Sequence, residues 1–460
     1  AKFVFTDMFP QENMEHMTKN IGFLDSEVIW LYTFFTDFKT APVTYTLSDL
    51  EKTFSNMEYT KSREGKICRY VFGGSNNFYT AYMVNDHDDF VHRVEMVSNG
   101  CLIRKDYFTY GRVYSEYYAP LDNAAHLYHR RFFNENGSVA YEEIIDDDRV
   151  MYKFKDKILC SKEEFVGYMV SQLNLTSDDV ILIDRSTDIG QSILMNCKPA
   201  RVGTIVHADH FSEKDTNDDY ILWNNFYEYE FNMHKHIDFY ICSTQAQSDL
   251  MVQQFEKYYG VTPCVYTIPV GSLPELKYPS STRKPYSLIT ASRLASEKHV
   301  DWICKAVIQA RSEVPELSLD IYGEGGEKSK LETIIRENNA SGYIHLMGQH
   351  DLSEVYQNYE AYIAGSTSEG FGLTLMEAVG GGLPIVGFDV RYGNPTFIRN
   401  GENGYLIPLP EEDKDRIEAL RKGIVDLFKQ DLEHCHSVSY LVAKDFLTSS
   451  VQEKWREAVC

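Results

Sequence analysis

A chain of 460 residues that is 43% hydrophobic and 25% charged has a soluble globular composition and is too long for one ordinary core, so two or three domains are expected. Asp and Glu number 68 against 45 Lys and Arg, and the formal charge of -23 argues against nonspecific binding to nucleic acid or an anionic membrane. The nine Cys are scattered without a C-x-x-C pair, no apolar run approaches the roughly 18 residues of a spanning helix, and nothing reads as a secretion signal. These features predict free thiols, a cytoplasmic location and a phosphate site, if there is one, that is local. His434-Cys435-His436 reads as accidental rather than metal-binding.

Lys2-Phe3-Val4-Phe5-Thr6 reads as a strand already in progress, as though the sequence began inside a domain. Glu27 to Tyr32 is the best-ordered piece before Thr44. From Tyr45 to Lys155 short segments alternate polar and apolar residues: Ile67 to Phe72, Phe78 to Val84, Phe90 to Val97, Leu102 to Tyr110, Val113 to Tyr118, His126 to Phe132, Val139 to Ile144 and Val150 to Phe154. Turns such as Gly73-Gly74, Asn99-Gly100 and Asn136-Gly137 separate them. Period-two alternation at this spacing predicts an antiparallel β-meander. Its density of Tyr and Phe points to a docking surface, and structural padding is the competing reading.

After Lys155 the pattern is α/β. One series of apolar strands comprises Val180 to Asp184, Val202 to His207, Phe239 to Ser243 and Val265 to Pro269. A second comprises Tyr286 to Thr290, Leu319 to Tyr322, Ile344 to Met347, Tyr362 to Ala364, Ile385 to Phe388 and Tyr405 to Ile407. Apolar strands alternating with helices predict parallel sheets covered on both faces, and the Pro- and Ser-rich stretch from Gly271 to Pro285 reads as the linker between two Rossmann-like domains. Ligands of such sheets bind at the carboxyl ends of the strands. The tail from Tyr440 to Val459 has helical spacing and can return to the first lobe.

The chemistry concentrates in Ser368-Glu369-Gly370-Phe371-Gly372-Leu373-Thr374-Leu375-Met376-Glu377-Ala378. Ala361 to Ala364 reads as a strand and Thr374 onward as a helix, so the glycines mark a strand-to-helix turn whose free N–H groups suit a phosphate. Glu369 and Glu377 suit the hydroxyls of a sugar or ribose. Arg293 and Lys298, after the first strand of the second series, can reach a diphosphate; alternatively they are solvated charges paired with Glu297. Gly323-Glu324-Gly325-Gly326-Glu327 is a permissive loop that fits neither a dinucleotide fingerprint nor a Walker loop.

Arg293 with Lys298, the Gly323 loop, Gly348, and Glu369-x7-Glu377 enclosing Gly-Phe-Gly-Leu-Thr resemble the donor lobe of retaining family 4 glycosyltransferases with the GT-B fold. The aromatic meander, Val206-His207-Ala208-Asp209-His210, and Asp219 to Asn225 make the chain similar, over essentially its whole length, to the catalytic GtfA-type glycosyltransferases of the bacterial accessory Sec system. The resemblance implies two Rossmann-like domains facing a cleft with an inserted β-meander. The first domain takes 1–44 and 156–270, the meander 45–155, the donor domain 271–439, and a returning C-terminal helix 440–460. The family opens with a further strand and glycine loop, so an incomplete start with reduced activity is a further expectation.

The implied function is transfer of N-acetylglucosamine from UDP-GlcNAc, without a metal or other cofactor, to Ser or Thr of a serine-rich repeat adhesin. The implied partner is a homologous non-catalytic subunit, through which the protein associates peripherally with the membrane. By the same resemblance Arg293, Lys298 and the N–H groups around Gly370, Phe371, Gly372, Leu373 and Thr374 take the diphosphate. Glu377 takes the ribose, backbone near Gly323, Gly348 and Gln349 the nucleotide, and Glu369 and His207 the donor sugar. On residues alone His207 reads as a core histidine. The alternatives are a wall-teichoic-acid N-acetylglucosaminyltransferase and a non-catalytic acceptor-binding subunit.

Overall fold

A computed structural model describes residues 1–9, 13–74 and 76–460. The chain divides into two compact units, Ala1–Ser177 with Asp188–Ala200, and Asp178–Thr187 with Arg201–Cys460.

The first unit is built on a ten-stranded antiparallel meander running from Tyr59–Glu64 to Ile158–Leu159, each strand paired with its neighbour in sequence. The first edge strand, Tyr59–Glu64, is exposed at every position, so no alternation marks it in the sequence; its Lys61 and Arg63 discourage pairing with another chain. The Leu47–Lys52 helix, started by a Thr46/Asp49 capping box, lays Leu47 and Leu50 over Cys68, Tyr70, Ala81 and Val94. Farther along the sheet, Tyr32 and Phe35 and the Lys162–Gln172 helix cover the aromatic strand residues. Phe132 stacks on Tyr141 at 4.5 Å and Tyr152 on Phe165 at 4.1 Å, and the Tyr141 hydroxyl donates to Tyr32 O at 2.7 Å. Residues 1–44 and 156–177 therefore share a compact unit with the meander. Much of its aromatic density is internal packing, since an inserted sheet must first build its own core. Phe3–Phe5 pairs in parallel with Val28–Trp30 in a separate two-stranded sheet.

The second unit holds two parallel sheets. The four-stranded one has the order Val180–Ile183, Arg201–Val206, Phe239–Cys242, Val265–Thr267. The six-stranded one has the order Ile344–Gly348, Ser318–Tyr322, Ser287–Ala291, Ala361–Ala364, Ile385–Phe388, Gly404–Ile407. In sequence order that is 3-2-1-4-5-6, and the reversal lies between Ser287–Ala291 and Ala361–Ala364, where a doubly wound sheet opens its ligand crevice. One face is covered by the Val300–Ala310 and Asp413–Leu427 helices, the other by the Leu373–Gly380 and Leu432–Ala443 helices.

The chain leaves the four-stranded sheet and returns to it at one place. Leu273 N donates to Phe446 O at 2.8 Å and Thr448 N to Leu273 O at 2.9 Å. The Thr448–Val459 helix then sets Val451 and Ala458 against Phe239, Ile241 and Ile268. Among the described residues no helix is long and apolar enough to cross a membrane.

The linker is tied down by Arg283. Its guanidinium donates to the carbonyls of Gln357 at 2.8 Å, Tyr359 at 2.9 Å and Gly381 at 2.8 Å, and burial lowers its pKa below the ordinary arginine value. Arg283→Met leaves the Gln357 and Tyr359 carbonyls unpaired and Gly381 O with the Tyr440 hydroxyl alone, and is expected to cost about 2–4 kcal/mol of stability, read as an earlier urea midpoint. An unchanged midpoint would show that the carbonyls find water instead.

Candidate functional site

The Leu373–Gly380 helix starts on Gly372, whose φ of +90° suits glycine and which offers no side chain to cap the helix. The first-turn N–H groups of Leu373 and Thr374 are thus not taken by a side-chain cap, and the helix dipole favours an anion beside them. Thr374 is anchored sideways, its Oγ1 lying 3.0 Å from the buried Tyr362 hydroxyl, which also sits 2.9 Å from Ala291 O; burial pushes the Tyr362 pKa to about 12. Phe371 turns into the core, edge-on to Phe397 at 5.3 Å, and Leu373 remains half exposed. Phe371 thereby supports the turn from below.

Lys298 and Glu369 meet at the crevice, Nζ to Oε2 at 2.6 Å, with each side chain about one-fifth exposed (20% and 19%). The approach depends on Gly365 at the end of the Ala361–Ala364 strand, where an added Cβ would stand 3.0 Å from Lys298 O and 2.9 Å from His299 O. Arg293 does not join them. It is 80% exposed and paired with Glu297 at 3.1 Å, an i,i+4 surface pair of the kind worth about 0.3–0.5 kcal/mol. The two cations expected to converge are therefore held differently, one in the crevice and one on a tether that costs little to break.

Glu377 lies one helical turn beyond the glycines. Its carboxylate is solvent-accessible but recessed, accepts from the Tyr356 hydroxyl at 2.9 Å, and has its pKa raised because the surrounding protein desolvates it. Gly323 N donates to Gly348 O at 2.8 Å, which joins the loops after two adjacent strands, and Gln349 is exposed just beyond. An ordered row of backbone and carboxylate groups thus runs along the carboxyl edge of the six-stranded sheet.

His207 stands at the carboxyl end of the Arg201–Val206 strand, and its O lies 3.4 Å from where a Cβ on Gly370 would be. Its Nε2 hydrogen-bonds Asp184, whose pKa is lowered chiefly by that bond. The Tyr227 hydroxyl accepts from the N–H groups of His207 at 2.9 Å and Ala208 at 3.0 Å. With one quarter of its side chain exposed, His207 is at an edge of the site and is not a core histidine. Sequence reasoning missed Asp184, Tyr356, Tyr362 and the Arg391-Tyr392-Gly393 loop. Only the loop had a signal, since it follows the Ile385–Phe388 strand as Gly370 follows its own.

Residues 60–156 match the family described as the GtfA extended beta-sheet domain, and residues 277–440 match the glycosyl transferases group 1. Over 459 residues the chain is 51% identical to the UDP-N-acetylglucosamine–peptide N-acetylglucosaminyltransferase GtfA subunit of Streptococcus agalactiae, covering 99% of this chain and 91% of that one. A solved GtfA/B complex has 51% identity and a TM-score of 0.95, with 100% of this chain and 92% of that chain covered. The pneumococcal O-GlcNAc transferase GtfA, solved with UDP and GlcNAc, has 48% identity and a TM-score of 0.87, with coverage of 100% and 91%. With a matched meander and a matched donor lobe in one chain, and relatives at this identity over its whole length, the chain belongs to the GtfA-type glycosyltransferases and has their GT-B fold.

Proposed function

We propose that this chain is a retaining glycosyltransferase that moves N-acetylglucosamine from UDP-GlcNAc to Ser and Thr hydroxyls of a serine-rich repeat adhesin, the first sugar of its O-glycosylation. The observation that carries the reading is the Lys298–Glu369 pair beside the uncapped start of the Leu373–Gly380 helix: a cation, a hydroxyl acceptor and free N–H groups at one switch point. A non-catalytic acceptor-binding subunit would have no need to assemble them. The names of the relatives support the donor and the peptide acceptor, and their identity to this chain favours that acceptor over a polyol-phosphate polymer.

In the reaction the C1–O bond to the β-phosphate breaks and its electron pair leaves with UDP. The acceptor oxygen bonds C1 on the same face, and the acceptor proton passes to the departing phosphate oxygen. Negative charge grows on the diphosphate, so groups fixed around it are worth most in the transition state. Lys298 and the N–H groups of Gly372, Leu373 and Thr374 supply that field. Arg293 adds to it by exchanging Glu297 for phosphate. No metal is needed for this charge balance. Glu377 accepts from the ribose hydroxyls, the backbone near Gly348 and Gln349 from and to the uracil, and Glu369 and His207 hold the sugar.

The partner is a homologous non-catalytic subunit, supported by the relative solved as a GtfA/B complex. The pair works in the cytoplasm, where nucleotide sugars are made, and meets the membrane only peripherally.

Transfer from UDP-GlcNAc to a Ser/Thr-rich peptide, with the partner subunit present, is expected; transfer to poly(ribitol phosphate) with the peptide untouched would contradict the acceptor. Lys298→Met and Glu369→Gln are each expected to lower kcat/KM about 100-fold or more with the fold intact. Wild-type rates in both would remove the donor-site assignment. A further test uses uridine, which lacks a titrating phosphate. Ribose hydroxyls stabilise ionised Glu377, so binding lowers its raised pKa and affinity weakens as pH falls through the free-protein value. Glu377→Gln should bind uridine more weakly and flatten that dependence; an unaltered pH profile would place the ribose elsewhere.

A further inference from the structure

Glu369 lies in a loop, outside any helix or strand, yet its carboxylate must be placed to within a fraction of an ångström to meet a sugar hydroxyl. Its backbone is held by one short parallel bridge to Tyr392. Glu369 N donates to Arg391 O at 3.0 Å, and Glu369 O accepts from Tyr392 N at 2.5 Å and Gly393 N at 2.7 Å. Gly393 has no substitute here, because a Cβ would stand 2.2 Å from Phe371 O. Whatever fixes Arg391 and Tyr392 therefore fixes Glu369.

Three contacts to the segment just beyond His207 fix them. Tyr392 is fully buried; its hydroxyl lies 3.5 Å from His210 Nδ1, and the two rings are 6.1 Å apart and nearly parallel at 23°. The Arg391 guanidinium covers the Phe211 ring at 5.2 Å and pairs with Glu213. Phe211–Ser212 is one strand of a small hairpin with Leu222–Trp223. The grip thus comes from a hairpin on the other lobe.

The partners of His210 favour one tautomer. Its Nε2 lies 2.6 Å from Gln254 Oε1, an amide oxygen that only accepts, so Nε2 carries the proton and Nδ1 is left as an acceptor for the Tyr392 hydroxyl. Burial of the ring pushes its pKa down to about 4, so this neutral form persists at physiological pH. The Asp209 carboxylate also faces the Tyr392 hydroxyl, whose pKa is raised chiefly by burial and further by that carboxylate.

We propose that His210, Phe211 and Glu213 form a latch that positions Glu369 through Arg391 and Tyr392, so that one segment of the first lobe sets both His207 and Glu369 around the donor sugar. The proposal rests on the donor-site reading above for its catalytic consequence and on geometry alone for the latch. His210 is a positioning residue that touches no substrate. Coupling of this kind makes recognition of the sugar depend on the two lobes being together, while the nucleotide contacts at Glu377 and Gly348 stand on the second lobe only.

Amide exchange at Glu369, Tyr392 and Gly393 reads the latch directly. In Tyr392→Phe and Glu213→Gln, neither of which empties the core, exchange at these amides is expected to be about tenfold faster while Leu288 to Ala291 keep their protection. Unchanged exchange in both variants overturns the latch. For the consequence, kcat/KM for UDP-GlcNAc should fall about tenfold in Y392F with the affinity for UDP within about twofold of wild type, and H210F combined with Y392F should lose little more than the worse single variant. Equal losses of UDP binding and turnover, or additive losses in the double variant, contradict positioning of the sugar contact. Absence of UDP-GlcNAc turnover in the wild type would fall on the functional reading instead, with the exchange rates still deciding the latch.

Discussion

A single ion pair organises the donor side of this protein. Lys298 and Glu369 come from loops after adjacent strands and lie 2.6 Å apart with most of each side chain out of water. Pairing offsets part of the cost of holding two charged side chains largely out of water. In the proposed donor site a diphosphate would share that cation with the carboxylate, while the uncapped helix start supplies further positive potential. Arg293, exposed and weakly tethered, is of a different kind: it can follow the ligand at small cost.

The rest of the second unit places this pair. Strand order 3-2-1-4-5-6 brings the ends of Ser287–Ala291 and Ala361–Ala364 side by side, and the small volume of Gly365 lets the following loop approach Lys298. Arg283 and the Leu273–Leu447 bridge fix where the chain enters and leaves the donor sheet. The first unit has a separate physical basis. Its meander is stabilised by stacked aromatic side chains between sheet and helices, so the sheet has a core of its own.

The sequence made the regular parts legible for identifiable reasons. Parallel strands buried on both faces appear as apolar runs such as Phe239 to Cys242 and Ile385 to Phe388, and half-buried meander strands appear as alternation. Tyr59–Glu64, exposed throughout, has neither pattern and was illegible. The turn from Glu369 to Glu377 was legible because glycines and carboxylates at a strand-to-helix junction have few other uses. Its supports were not. Tyr356, Tyr362, Asp184 and His210 act from positions distant in sequence, and nothing local distinguishes a tyrosine that orients a carboxylate from one that fills a core. The different settings of Arg293 and Lys298 were illegible for a similar reason: the close approach at Lys298 involves Gly365, far along the chain.

The central claim is that the diphosphate of a nucleotide sugar sits between Lys298 and the start of the Leu373–Gly380 helix. A crystal structure of this chain with UDP tests it most directly. The account predicts β-phosphate oxygens within about 2.7–3.2 Å of Lys298 Nζ and of at least one N–H among Gly372, Leu373 and Thr374, with the ribose hydroxyls on Glu377. UDP bound away from that turn, with Lys298 still engaged only by Glu369, would contradict it.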